Sequence, residues 1–328
     1  MTSHLHQQAQ RGAALLLALL SAALVAMLAS AGLWQQWRTL SVETAERGLQ
    51  QAHWLLTGAH DWARVVLRED GRNVGADHLG EPWAIPIKEA RLSSFLAASP
   101  AGVVENADGL MDQVFLSGRI TDMQSRLNLR NLVVNGELVD SEWQAWFRLY
   151  HLLGLPQAEL EAWSKAYNAS QALPYEEDAP LEPQRIEQLI WLGMSRDSLA
   201  KLSPHISLLP VATPVNINTA SAPVLAAVVP GLSVSNAQQW IAKRNTQAWD
   251  SLEEAQKKLG ESASGLNPKQ HSINSGYFEV TGQLRLDSVT LIEKSLVRRT
   301  GMDSHTVWHE RRPRHSEPGC MVTVTAPC

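Results

Sequence analysis

Few residues in this chain have a type and spacing that could do chemistry. Two cysteines, Cys320 and Cys328, are its only thiols. In an exported protein, a disulfide between them would close a short loop and contribute roughly 2.5 kcal/mol by the chain-entropy estimate. Two unpaired thiols in a loose tail are the alternative. Carboxylates crowd together once, at Glu176, Glu177, Asp178 and Glu182, in a loop punctuated by Pro174, Pro180 and Pro183. There is no Ser-His-Asp spacing, Gly-x-Ser-x-Gly, His-Glu-x-x-His or phosphate loop. The eleven histidines are scattered. The twelve tryptophans include pairs at helical spacing, Trp34/Trp37 and Trp143/Trp146, which suit core or interface positions better than cofactor stacking. These residues describe no enzyme.

The elements that would carry them begin with a stalk. Ala13–Leu33 has no charge and is broken only by Ser21, Ser30 and Gly32. At helical rise it spans roughly 30 Å, enough to cross a bilayer core. Spacings of three and four persist beyond it through Trp34, Trp37, Leu40, Leu49, Leu55, Leu56, Val65 and Val66, and the first proline is Pro82. One amphipathic helix over 34–70 is therefore expected to continue from the membrane. Ala29-Ser30-Ala31 fits a secretory cleavage site, but a cleaved signal has no reason to run on into such a helix. A plain signal anchor explains both span and continuation and leaves Gly12 unexplained. A third reading uses Gly12: Arg11-Gly12-Ala13-Ala14-Leu15-Leu16-Leu17 resembles the type III signal of type IV pilins and pseudopilins. Arg11 before the span, with Arg38 and Arg47 after it, gives a weak positive-inside bias.

The body is ordinary in composition, 45% hydrophobic and 19% charged, with a net charge of −5. That slight acidity gives no long-range attraction for nucleic acid. Residues 71–110 are punctuated by Gly71, Gly75, Gly80, Pro82 and Pro86 and read as loops with short elements. Val114–Asp122 reads as a strand and turn. Helical pattern fills 141–153, 157–170, 183–192, 196–202, 221–229, 235–244 and 250–259. Alternation then returns at Tyr277–Leu286, with further strand candidates at 288–298 and 305–311. The expected fold is α+β: a long N-terminal transmembrane and amphipathic helix packed on a small antiparallel sheet, with a large all-helical insertion. The expected parts are a leader over 1–12, the span over 13–33, helix and first strands over 34–136, the insertion over 137–272, closing strands over 273–312 and a tail over 313–328.

Four stretches carry a more specific resemblance: Gly12-Ala13-Ala14-Leu15, Gly118-Arg119-Ile120-Thr121-Asp122-Met123-Gln124-Ser125-Arg126-Leu127-Asn128-Leu129, the block Pro214-Val215-Asn216-Ile217-Asn218-Thr219-Ala220, and the strands around Tyr277–Leu286. In this order they resemble the K-type minor pseudopilins of type II secretion systems. The resemblance implies cleavage between Gly12 and Ala13 by a prepilin peptidase, with the span retained. It also implies an inner-membrane anchor, a periplasmic body, and assembly with I-type and J-type pseudopilins and then with H-type and major pseudopilins. Most pseudopilins carry glutamate at the fifth mature position, where it pairs with a neighbour's free amine. Here that position is Leu17, which resembles the K-type pattern. A buried unpaired carboxylate forces recruitment of a partner; a subunit with Leu17 needs none above it and fits the apex, where the bulky insertion would block further addition. The resemblance also implies calcium, a cation that needs six to eight oxygen ligands, with Glu176, Glu177, Asp178 and Glu182 as candidates. Trp163 is followed by Ser164-Lys165-Ala166 where the family shows carboxylates, so a solvated acidic loop is the favoured reading.

The same central block supports a second reading. Asn216–Ala220 with Pro230-Gly231-Leu232, Ala237, Ile241 and Arg244 also resembles the helix–hairpin–helix of DNA-uptake proteins, where hairpin amides meet a phosphate. Ser233 replaces a second hairpin glycine, and Lys243 and Arg244 are the only basic residues nearby. The simpler expectation is that Asn216 and Asn218 cap a turn and the helix pair is a packing unit. No nucleic-acid partner is expected.

Overall fold

The computed structural model describes residues 3–72, 75–97, 113–171, 178–286 and 289–315. Its contacts divide the chain into residues 1–55 and 56–328. The first unit is the N-terminal part of helix α1, Ser3–Asp70, whose apolar run is long enough to cross a bilayer. Leu15, Leu16, Leu19, Leu20 and Leu24 are all exposed along it. Ser21 and Ser30 donate to the carbonyls of Ala18 and Ala26, so neither leaves a bare hydroxyl in that stretch.

In the second unit, the C-terminal part of α1 lies on a five-stranded sheet. The strands are β1 (Ile87–Arg91), β2 (Val114–Asp122), β9 (Tyr277–Leu286), β10 (Val289–Thr300) and β11 (Asp303–His315), in the order β1-β2-β9-β10-β11. Every neighbouring pair is antiparallel. Alternation puts Phe278, Val280 and Val297 on the face that meets Ala63 and Leu67, with Trp83 closing the cluster. The buried stripe of this helix segment is Leu56, His60, Ala63 and Leu67. The expected stripe through Val65 is displaced, since Val65 is exposed. Small residues and a histidine allow the helix to lie close to the strands, a choice that hydropathy alone does not reveal.

The segment expected as loops contains β1 and helix α2 (Leu92–Ala97). β1 is short and alternates weakly because it is an edge strand. β11 runs through Pro313 to His315, past the boundary expected for the tail, and β10 pairs with it to the end. An edge strand tolerates a proline there.

Between β2 and β9 the chain makes the insertion. Its helices are α3 (Asp140–Leu152), α4 (Gln157–Ser170), α5 (Arg196–Leu202), α6 (Ala222–Val228), α7 (Val234–Thr246) and α8 (Leu252–Leu259). The helix expected over 183–192 is a 3-10 turn, Ile186–Leu192, ended by Gly193. One large core holds the insertion together, with Trp146, Trp163, Tyr150, Tyr167, Leu149 and Leu225 among its members. Trp163 Nε1 donates to the Tyr150 hydroxyl at 2.7 Å, and its ring meets Trp146 edge-on.

The insertion is helical apart from two-residue strands. β3 (Leu127–Asn128) pairs in parallel with β6 (Ile206–Ser207), β7 (Val215–Asn216) pairs in parallel with β8 (His271–Ser272), and β4 (Val133–Val134) pairs with β5 (Glu137–Leu138). Such pairs are too short to show a period of two. The partners of the two parallel pairs also lie far apart in the chain.

Candidate functional site: a buried polar junction

The blocks at 118–129 and 214–220 meet in space. Asp122, at the end of β2, is buried and accepts four hydrogen bonds. The donors are Gln124 N at 2.8 Å, Thr219 Oγ1 at 2.5 Å, Ser275 Oγ at 2.6 Å and Asn216 Nδ2 at 3.2 Å. They come from the turn after β2, from the start and end of β7's block, and from the approach to β9. Burial pushes the Asp122 carboxyl up to about 6, against the pull of Ser275, Thr219 and Gln124.

Neighbouring side chains extend this junction. Asn216 Oδ1 accepts from Asn218 N at 2.9 Å, and Asn216 Nδ2 also donates to Asp77 O at 3.1 Å. Asn218 exchanges both of its amide bonds with the backbone of Trp249, a substitute for a strand partner. Asn131 does the same with Thr213. Gln124 accepts from Gly276 N at 2.6 Å and donates to Pro214 O at 3.1 Å. These amides carry the backbone polarity of irregular segments that would otherwise be buried without partners. Asn216 thus caps the turn as expected, whereas Asn218 ties it to the distant Trp249.

Sequence reading missed the other half of the junction. Arg299 pairs with Asp70 and Asp77 and donates to Ser275 O at 2.9 Å. Burial raises both carboxyls, and Arg299 opposes the rise. Asp70, Asp77 and Glu81 offer oxygens within 4.8 Å of one another, a set that could hold a divalent cation; here the guanidinium supplies the counter-charge to two of them. Nothing in the spacing of these residues marks them, because they converge from α1, a loop and β10.

The other expected sites are dispersed. Gly12, Ala13 and Leu17 lie within α1, and Leu17 is 66% exposed. Asp178 is exposed, Glu182 pairs with Arg130, and Glu176 and Glu177 lie outside the described residues. Cys320 and Cys328 also lie outside them. The hairpin between α6 and α7 turns at Gly231, whose φ of 79° suits glycine. Ser233 caps α7 by accepting from Asn236 N. Arg244 points inward and donates to Ile217 O at 2.5 Å, and burial lowers it to about 10. Only Lys243 of the two basic residues faces solvent, so the hairpin lacks the cationic surface that phosphate binding needs.

A helix long enough to cross a membrane, a small antiparallel sheet and a helical insertion tied to it by polar side chains make up an α+β fold. The family model for "Type II secretion system (T2SS), protein K" matches residues 215–274, which run from β7 to the residue before Ser275. A protein named type II secretion system protein K from Pseudomonas aeruginosa is 26% identical, with 85% of this chain and 86% of that one covered. Its namesake from Pectobacterium carotovorum subsp. carotovorum is also 26% identical, over 91% and 95%. The fold is shared, at a TM-score of 0.62 and 21% identity, with a chain in the crystal structure of the GspK-GspI-GspJ complex from the enterotoxigenic Escherichia coli type 2 secretion system, covering 82% of this chain and 98% of that one. Over most of its length the chain is similar to proteins named type II secretion system protein K.

Proposed function

We propose that this protein is a K-type minor pseudopilin that takes part in protein export as an assembly subunit and has no chemistry of its own. The observation carrying this reading is the order of parts: a charge-free anchor, a sheet, an insertion fixed by the 214–220 block, and the sheet again. The relatives are similar over nearly their whole length. The partners proposed are I-type and J-type pseudopilins, which the solved complex of the fold relative supports, and after them H-type and major pseudopilins.

On this reading a prepilin peptidase cuts between Gly12 and Ala13. The span stays in the inner membrane, with the body in the periplasm. Leu17 places no carboxylate in the bilayer, so no neighbour above is needed, and the subunit caps the tip of the pseudopilus. The acidic loop is read as solvated and held at Glu182 by Arg130. Calcium bound through Asp178 and Glu182 would have to compete with that guanidinium. The deciding experiment is co-purification of the tagged full chain with I-type and J-type pseudopilins, alongside secretion in a strain lacking the protein. Failure to retain either partner and failure to restore export would overturn the reading.

A further inference from the structure

The insertion and the sheet have separate apolar cores. The insertion's core runs from Leu127 to Leu266, and the sheet's includes Ala63, Leu67, Phe278 and Val297. Between them lies a small apolar cluster of Met123, Leu209, Tyr277 and Leu296. Among the described residues, Arg185 of the insertion also pairs with Glu310 of β11 at 3.0 Å, and a buried polar network centres on Asp122. Two of its donors, Asn216 and Thr219, belong to the insertion; Gln124 and Ser275 sit at the chain crossings into it and out of it.

We propose that Asp122 is a positioning residue, a latch that fixes the helical insertion against the sheet, so that without it both bodies stay folded but move independently. A buried donor that loses its acceptor is left unsatisfied at a cost, and Asp122 serves four at once. Its removal therefore falls on the junction, while neither apolar core loses an atom. The latch works through hydrogen-bond geometry. A carboxamide of the same shape keeps an oxygen for Gln124 N, the hydroxyls of Thr219 and Ser275 can turn to accept from its amide, and Asn216 Nδ2 loses this acceptor but keeps Asp77 O and Ser275 Oγ. This inference does not depend on the pseudopilin reading and is tested without any secretion measurement.

The test is hydrogen–deuterium exchange of the full chain in detergent, read in peptides covering 214–220 and 272–278 and in core peptides covering 145–150 and 291–297. Asp122→Ala should speed exchange in the junction peptides at least tenfold and leave both cores unchanged. Asp122→Asn should stay within about threefold of the native protein. If Asp122→Ala fails to fold, Thr219→Val and Ser275→Ala each remove one donor and should give about threefold acceleration in the same junction peptides alone. An unchanged junction, or equal loss of protection in junction and cores, overturns the proposal. So does Asp122→Asn behaving like Asp122→Ala.

Discussion

Gly282 lies directly beneath His60: a Cβ there would stand 3.1 Å from the imidazole Nε2 and 2.8 Å from Leu56 Cδ1. His60 Nδ1 in turn meets Ser295 Oγ at 2.8 Å, so the helix rests on β9 and β10 through a histidine with no room below it. Gly282→Ala should destabilise the protein by about 1–3 kcal/mol, as overpacking does. Denaturant unfolding measures it. Because the nearest atom is the flexible tip of Leu56, adding Leu56→Ala to Gly282→Ala should cost less than the sum of the two single changes. Strict additivity would mean the two side chains do not compete for that space.

Processing is read at the N-terminus. The mature protein should begin at Ala13 and keep its span, and replacing Gly12 by valine should leave the precursor uncut. N-terminal sequencing from cells with and without the prepilin peptidase checks both. A start near residue 32 or an intact Met1 contradicts the proposed function.

Asp122 sets a pH dependence whose sign follows from its burial. Burial holds its carboxyl at about 6 in the fold, above the ordinary 3.8 of an aspartate. The native state therefore binds more protons than the unfolded chain between pH 4 and 6. Its stabilising contribution is complete below pH 4 and is lost as pH rises through 6, by about 3 kcal/mol in all. Asp77 faces it with like charge and Arg126 with opposite charge. The stability of the native protein relative to Asp122→Asn, which does not titrate there, should fall between pH 4 and 7. A flat difference would place the carboxyl near its ordinary value.

Leu17 and the insertion should act together at the fibre end. Leu17→Glu should be tolerated or only mildly disruptive, because an apex subunit has no neighbour above to pair with the new carboxylate. Removing residues 137–272 should give longer or more numerous fibres. Electron microscopy with labelled subunits is the measurement, and labels along the shaft would contradict a tip position.

Calcium is decided by titration. The solvated-loop reading expects no saturable heat when calcium is added to the full chain, and no change on Glu182→Gln. Saturable binding abolished by Glu182→Gln would establish the cation site instead.

Long elements with a clear period were legible in the sequence: α1, β2, β9 and most helices of the insertion fall where their apolar spacing puts them. The 214–220 block was also legible as a turn capped by Asn216, though the bridge from Asn218 to Trp249 was not. The junction was not. Asp77, Ser275 and Arg299 owe their roles to meeting in three dimensions, and a one-dimensional pattern does not record a contact between residues 222 apart in the chain. The apolar residues of α1 divide in a way their spacing does not reveal: Leu56 and Val66 pack inward, while Leu49 and Val65 are exposed. Leu49 and Val65 are the more hydrophobic residues, yet the sheet lies against Ala63 and His60 because small and flat side chains permit close approach. Leu56 is fully buried, so Leu56→Asp reports on folding, and the exposed Leu49 is the better position for testing partner contacts.

Asp122 pairs with Phe278 where β2 meets β9, so these strands are the two arms of one hairpin and everything between them is its loop. Closing an unstructured loop of roughly 150 residues carries an entropic cost that grows with the logarithm of its length. If the insertion folds first, its own structure brings the arms together and the remaining closure is short. Folding order is then set by topology: the helical part collapses around Trp146 and Trp163 through local contacts, and the sheet zips afterwards from the junction outward. A chain made this way completes its hairpin only after the insertion is sound, so a misfolded insertion leaves an unpaired strand edge, a template for pairing with another chain.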